Sequence, residues 1–322
     1  MQSVLGCIRR CCLALFLAGP MTLGCGAVQA AQRYALVISN SSYQHTSQLR
    51  NPQADAALIA ATLGRLNFEV TTRFDLNAAD MRREIRDFGN KISDNRAEWA
   101  VVYYAGHGME VEGENYLIPV DAELVSDRNI NDDGYQLREV LNKIKSASRL
   151  RLVILDACRN NPFPKMVRSR STRAHGVGLA AIPESALLPD YLIAFSAKDG
   201  ATAQDGEGEN SPFAQALAEQ VERPGVEVEL MLRRVRDRVA ELTNGEQESW
   251  KYGSLPGTEL YFSEPQTWME RMTGKKPASG AGGSDPALAQ PAPAAPVPHQ
   301  PVKLPAHTKR SLRTLGILNV EC

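Results

Sequence analysis

Two residues in this chain carry the elements of nucleophilic catalysis. Cys158 follows an apolar run at 150–155 and stands in Asp156-Ala157-Cys158-Arg159. A thiol becomes a nucleophile when a neighbour accepts its proton or lowers its pKa. Histidine suits the task, because its unperturbed pKa of ~6.5 lies near neutral pH. His45 lies in a polar early segment and His175 in a basic one; only His107 sits between two glycines at the end of an apolar run, 99–105. Glycine allows tight turns and close approach of backbone to substrate. The backbone amides of Gly108 and Cys158 are the candidate donors to a developing oxyanion. The chemistry so assembled is acyl transfer. Taken alone, Gly106-His107-Gly108 fits a structural turn histidine equally well, and a lone cysteine can be an inert buried apolar residue.

Positioning such a pair requires particular elements. Apolar, β-branched runs at 33–39, 68–74, 99–105, 150–155 and 191–195 predict strands. Apolar residues at helical spacing predict helices over 52–66, 78–92, 135–144, 212–221 and 226–242. Residues 116–120 read as part of a small hairpin, and 258–262 as a final strand. Strands alternate with helices, and the strands are nearly continuous apolar runs. That predicts an α/β fold, a mostly parallel sheet with helices on both faces. Ligands in such sheets bind beyond the carboxyl ends of the strands. His107 and Cys158 are both expected just past such ends.

Composition sets the outer limits. At 322 residues, with 43% hydrophobic and 23% charged residues, the chain allows one or two ordinary globular domains. A formal net charge of −1 argues against a broad nucleic-acid surface. Residues 1–30 read as a signal peptide: Arg9 and Arg10, a broken apolar stretch, then Val28-Gln29-Ala30-Ala31. Export to a periplasm or the extracellular space follows, with no membrane span after leader removal. An uncleaved anchor, or a lipid anchor at Cys25 after Thr22-Leu23-Gly24, is the alternative. Four of the six cysteines lie in this leader, leaving Cys158 and Cys322, so disulfides do not staple the fold. Residues 32–263 form the predicted domain, and 264–322 a Pro/Ala-rich linker with a short tail. No zinc-type Cys/His spacing and no phosphate loop is present.

Several segments together resemble the caspase and metacaspase clan of cysteine peptidases. Tyr103-Tyr104-Ala105-Gly106-His107-Gly108 resembles the family's histidine segment, and Asp156-Ala157-Cys158-Arg159-Asn160-Asn161-Pro162 its cysteine segment. The histidine precedes the cysteine by roughly 50 residues, as in the caspase signature. Leu49–Ala56 resembles the first substrate loop, and Phe195-Ser196-Ala197 with Asn210-Ser211-Pro212-Phe213 the start of the small-subunit region. The resemblance covers about 32–263 and implies a caspase-like three-layer fold and endopeptidase activity, with His107 as general base and Cys158 as nucleophile.

The departures bear on specificity. Asp156 replaces the Gln of the signature, and Asn160 its Gly. Resemblance to metacaspases implies that Asp156 and Asp55 form a pocket for Arg or Lys side chains. Alternatively Arg50 lines the pocket and selects an acidic residue, or Asp55 only favours a helix N-terminus while Asp156 satisfies backbone amides. Arg168, Arg170 and Arg173 lie where family members are processed, and read either as a self-cleavage segment or as a solvated loop. No cofactor is expected; calcium activation at Asp132-Asp133 or at Asp205-Gly206-Glu207-Gly208-Glu209 is the family's variant. Partners are protein or peptide substrates, with the oligomeric state left open. An idle interaction module on the same scaffold and a general hydrolase or acyltransferase are the competing functions.

Overall fold

A computed structural model of the chain describes residues 32–124, 129–158, 190–198 and 208–266, together with Leu179, Ile182 and Met272. The leader, the arginines at 168–173, His175, Asp205, Glu207 and nearly all of the Pro/Ala-rich segment lie outside the described residues.

In chain order the elements begin with β1 (Arg33–Ser39), α1 (Pro52–Arg65), β2 (Glu69–Phe74), α2 (Ala78–Asp94), β3 (Trp99–Val111) and β4 (Glu114–Leu117). There follow α3 (Ile130–Asp133), β5 (Tyr135–Gln136), α4 (Leu137–Lys143), β6 (Leu150–Cys158), β7 (Tyr191–Phe195), α5 (Pro212–Val221), α6 (Val228–Leu242) and β8 (Trp250–Gly253). The main sheet has the order β2-β1-β3-β6-β7-β8. Every neighbouring pair in it is parallel except β7 with β8.

Helices cover both faces, giving the three layers expected. Successive strand residues point to opposite faces, and here both faces are apolar. Val37, Val101 and Leu152 pack with Ile59 and Leu63 of α1, Phe213 and Leu217 of α5, and Val235 and Val239 of α6. Leu36, Val102 and Val153 pack on the other side with Met81, Ile85, Phe88 and Ile92 of α2 and Val140 of α4. Each such side chain contributes about 1.5–3 kcal/mol on burial. That is why these strands read as unbroken apolar runs rather than alternating ones. Helix starts are set locally: Asn77 accepts from the amide of Asp80 (2.8 Å) at α2, and Ser211 from the amide of Ala214 (3.0 Å) at α5, with Pro212 in its first turn.

The amino ends of the strands are closed by aromatic packing. The Arg33 guanidinium lies 4.4 Å from the Trp99 ring centroid and donates to the carbonyls of Phe262 (2.8 Å) and Tyr261 (3.2 Å). Phe68, Trp99 and Phe262 form a cluster with centroids 5.2–6.1 Å apart.

Some assignments differ from the sequence reading. β3 does not end at Gly106-His107-Gly108: β1 stops at the Ser39–Ala105 pair, but β3 keeps pairing with β6 to His107–Cys158, then with β4 from Gly108–Leu117. His107 and Cys158 therefore lie within strands, not past them. The expected helix 135–144 gives its first two residues to β5, because Tyr135 and Gln136 pair with β4. Residues 258–262 form no strand; Tyr261 makes one isolated bridge to Glu227. The last strand is β8 instead. The hairpin is present, formed by the end of β3 with β4. Among the described residues no helix is long and apolar enough to cross a membrane.

Candidate active site

The chain runs from β1 outward to β2, then returns to place β3 on the other side of β1. The segments leaving β1 and β3 therefore diverge at their carboxyl ends, which opens a crevice there. Residues 40–51, after β1, form one wall. Asp75 ties that wall down, accepting from the amides of Ser41 (2.8 Å) and Ser42 (2.9 Å), from both serine hydroxyls, and from Gln53 Nε2 (3.0 Å). Burial alone would raise the Asp75 pKa, but these bonds outweigh it and hold it below the usual value.

His107 is 4% exposed. Its Nε2 lies 2.8 Å from the carbonyl oxygen of Ser47 on that wall. A carbonyl only accepts, so Nε2 carries a proton, and when the ring is neutral its lone pair falls on Nδ1. Cys158, the last residue of β6, is the backbone register partner of His107 on the adjacent strand. Adjacent strands run ~4.8 Å apart, so the two α-carbons are neighbours across one rung of the sheet. Gly108 begins the antiparallel pairing with β4, and a β-carbon there would meet Ala157 and Leu179 at 3.2 Å.

The two aspartates also converge. Asp156 lies opposite Ala105, and its Oδ2 accepts from the hydroxyls of Ser211 (2.6 Å) and Tyr103 (3.1 Å). Asp55, 3% exposed in the first turn of α1, accepts from the Ser211 amide (2.8 Å) and from Asn210 Nδ2 (3.0 Å). Ser211 thus bridges both carboxylates. Burial, and then the nearby charge of Asp156, push the Asp55 pKa up to about 7, against the lowering effect of its hydrogen bonds. Arg50 is exposed at the far end of the wall.

Residues 32–261 match the family model of the caspase domain. The chain belongs to the caspase-domain family. It is 32% identical over 93 residues to mucosa-associated lymphoid tissue lymphoma translocation protein 1 of Homo sapiens, covering 29% of this chain and 11% of that protein. It is 24% identical over 144 residues to caspase-1 of Felis catus, covering 44% of this chain and 34% of that one. The chain therefore spans about a tenth to a third of the length of these curated relatives. That family is one of thiol proteases, hydrolases of peptide bonds.

Some parts of this caspase domain's site have no counterpart in the sequence reading. The carbonyl of Ser47 meets Nε2 of His107, and a backbone oxygen leaves no mark in residue type. Tyr43 and Tyr104 hold the histidine backbone. Ser211 had a readable signal, a Ser-Pro helix start, but its link to both aspartates is a long-range fact. Of the acidic segments, Asp132 and Asp133 lie in α3. The Asp133 pKa is raised by burial and then by Asp132 and Asp121. Among the described residues no three His, Cys, Asp or Glu side chains are grouped to hold a metal ion.

Proposed function

We propose that the protein is a cysteine endopeptidase in which Cys158 is the nucleophile, His107 the general base and acid, and Asp55 with Asp156 the pocket for an Arg or Lys side chain. The observation that carries this reading is the register pairing of His107 with Cys158, the last rung of the parallel pairing of β3 with β6. The orientation of His107 by the Ser47 carbonyl supports it.

The thiol proton passes to Nδ1 of His107 as Sγ bonds to the scissile carbonyl carbon. The carbonyl oxygen takes up the electron pair and is met by the amides of Gly108 and Cys158. Collapse breaks the C–N bond, and the departing nitrogen takes the proton from Nδ1. Water then gives a proton to Nδ1 while its oxygen attacks the thioester; the C–S bond breaks and Sγ regains the proton. The Ser47 carbonyl steadies the imidazolium at each stage through Nε2–H.

Specificity follows from charge. Two carboxylates held by one serine favour a guanidinium or ammonium group and repel an acidic one. Peptides ending in Arg, Lys or Asp before a fluorogenic amide test this with the full chain. Cleavage after Arg and Lys that vanishes in Cys158→Ala is the expected result. Cleavage after Asp alone would reassign the pocket to Arg50. No cleavage by folded protein, with or without calcium, would replace the peptidase reading with that of a binding module.

A further inference from the structure

To accept a proton at Nδ1, His107 must start each turnover in one tautomer and one orientation, yet it lies beyond the point where β3 loses β1 as a neighbour. Its backbone is satisfied in another way. The His107 N–H donates to Tyr43 Oη (2.7 Å), and the Tyr104 hydroxyl donates to the His107 carbonyl (2.7 Å). The two phenol oxygens are 3.3 Å apart. Each phenol has one proton and can accept as well. Having accepted from His107, Tyr43 directs its own proton to Tyr104 Oη or to the Ile118 carbonyl, both at 3.3 Å. Tyr104 in turn accepts from the Ile118 amide at 3.2 Å. A loop of bonds thus leaves His107 at its nitrogen and returns at its carbonyl.

The imidazole is held from the same side. The Tyr43 ring packs against it, centroids 4.3 Å apart and tilted by 46°. Tyr43 lies four residues before Ser47, so one stretch of the Asp75-anchored wall supplies both the ring contact and the carbonyl on Nε2. Both tyrosines are buried, and burial pushes both phenols well above their ordinary range. Near neutral pH both therefore stay protonated and able to donate. Gly106 completes the device, for a β-carbon there would lie 2.7 Å from both hydroxyl oxygens. The glycine before the histidine makes room for the tyrosines.

We infer that Tyr43 and Tyr104 are positioning residues for His107, clamping its backbone by their hydroxyls while the Tyr43 ring fixes the imidazole on the Ser47 carbonyl. The inference rests on the proposed role of His107. It predicts an effect on turnover rather than on substrate affinity.

The test is Tyr43→Phe in the full chain, which keeps the ring and removes the hydroxyl. Peptide cleavage gives kcat and KM separately, and ring-15N-histidine spectra, assigned with His107→Gln, report the tautomer without needing activity. The expected result is a roughly 10–100-fold fall in kcat with KM within about twofold. The His107 signal should change from a single Nε2–H tautomer to a mixture. Unchanged kcat and tautomer, even with a lowered Tm, would mark a merely structural hydroxyl and overturn the inference. Should Tyr43→Phe not fold, Tyr104→Phe replaces it, with a smaller loss in the same direction expected and wild-type kcat as the contrary result. If the wild-type chain cleaves nothing but shows the single tautomer, and Tyr43→Phe loses it, the clamp stands and the peptidase reading falls.

Discussion

The two ends of the sheet are built on opposite plans. At the amino ends, Arg33 stacks on Trp99 and donates to two main-chain carbonyls, and Phe68 and Phe262 close the packing. At the carboxyl ends there are two hydrogen-bonded groups that use backbone atoms: a buried histidine with two buried tyrosines, and two aspartates joined through Ser211. The first plan maximises burial and specifies no chemistry. The second keeps polar groups out of water and spends hydrogen bonds on orientation. It also tolerates a carboxylate that burial and a like charge disfavour.

Mutations should separate the ends. The largest effect is expected from Cys158→Ala or His107→Ala. Each should lower kcat/KM for an Arg peptide by at least ~10³-fold, with Tm little changed; parallel loss of Tm and activity would merge the two regions into one. Next, Trp99→Ala should destabilise by about 3–5 kcal/mol, seen in denaturant melts, while kcat per folded molecule stays near wild type. A kcat that falls with it would show that the amino end also shapes the site.

The raised pKa of Asp55 sharpens the contrast. Its unfolded value is 3.8 and its folded value about 7, so the stabilisation is full below pH 3.8 and is lost as pH rises to about 7. Relative to Asp55→Asn, wild type should lose on the order of 2–4 kcal/mol across that window and level off above it. Thermal melts of both proteins from pH 4 to 8 check this; a difference that stays flat with pH would deny the burial and charge coupling. Smallest is the specificity effect. Asp156→Asn should raise KM for Arg peptides by about 10–30-fold, on the order of 1.5–2 kcal/mol, and leave a neutral control reaction with iodoacetamide unchanged.

Much of this was legible before any coordinates. The parallel strands carry apolar or β-branched runs, so local composition marked them, and α2 and α5 begin where the helical spacing was read to start, at 78 and 212. β8 escaped because Trp250–Gly253 is a half-buried edge whose strand character comes from pairing with β7 across a long separation. β3 was cut short because glycines flanking His107 look like a stop, whereas Gly106 is there to admit two hydroxyls. At the site, residue types pointed to His107 and Cys158, while Asp55 and Asp156, with Arg50 as the alternative, came from the family resemblance. Residue types could not point to the Ser47 carbonyl, since any residue would supply one, nor to Tyr43 and Tyr104, which read as ordinary core aromatics.

The account turns on Cys158 reacting within a pocket that accepts a basic side chain. The most direct measurement is intact-mass and peptide-mass analysis of the full chain after a peptidyl-arginine halomethyl ketone, beside the aspartate analogue. The predicted result is a single adduct on Cys158, formed faster with arginine than with aspartate and lost in His107→Ala. Labelling that ignores His107, or that favours the aspartate reagent, would contradict it.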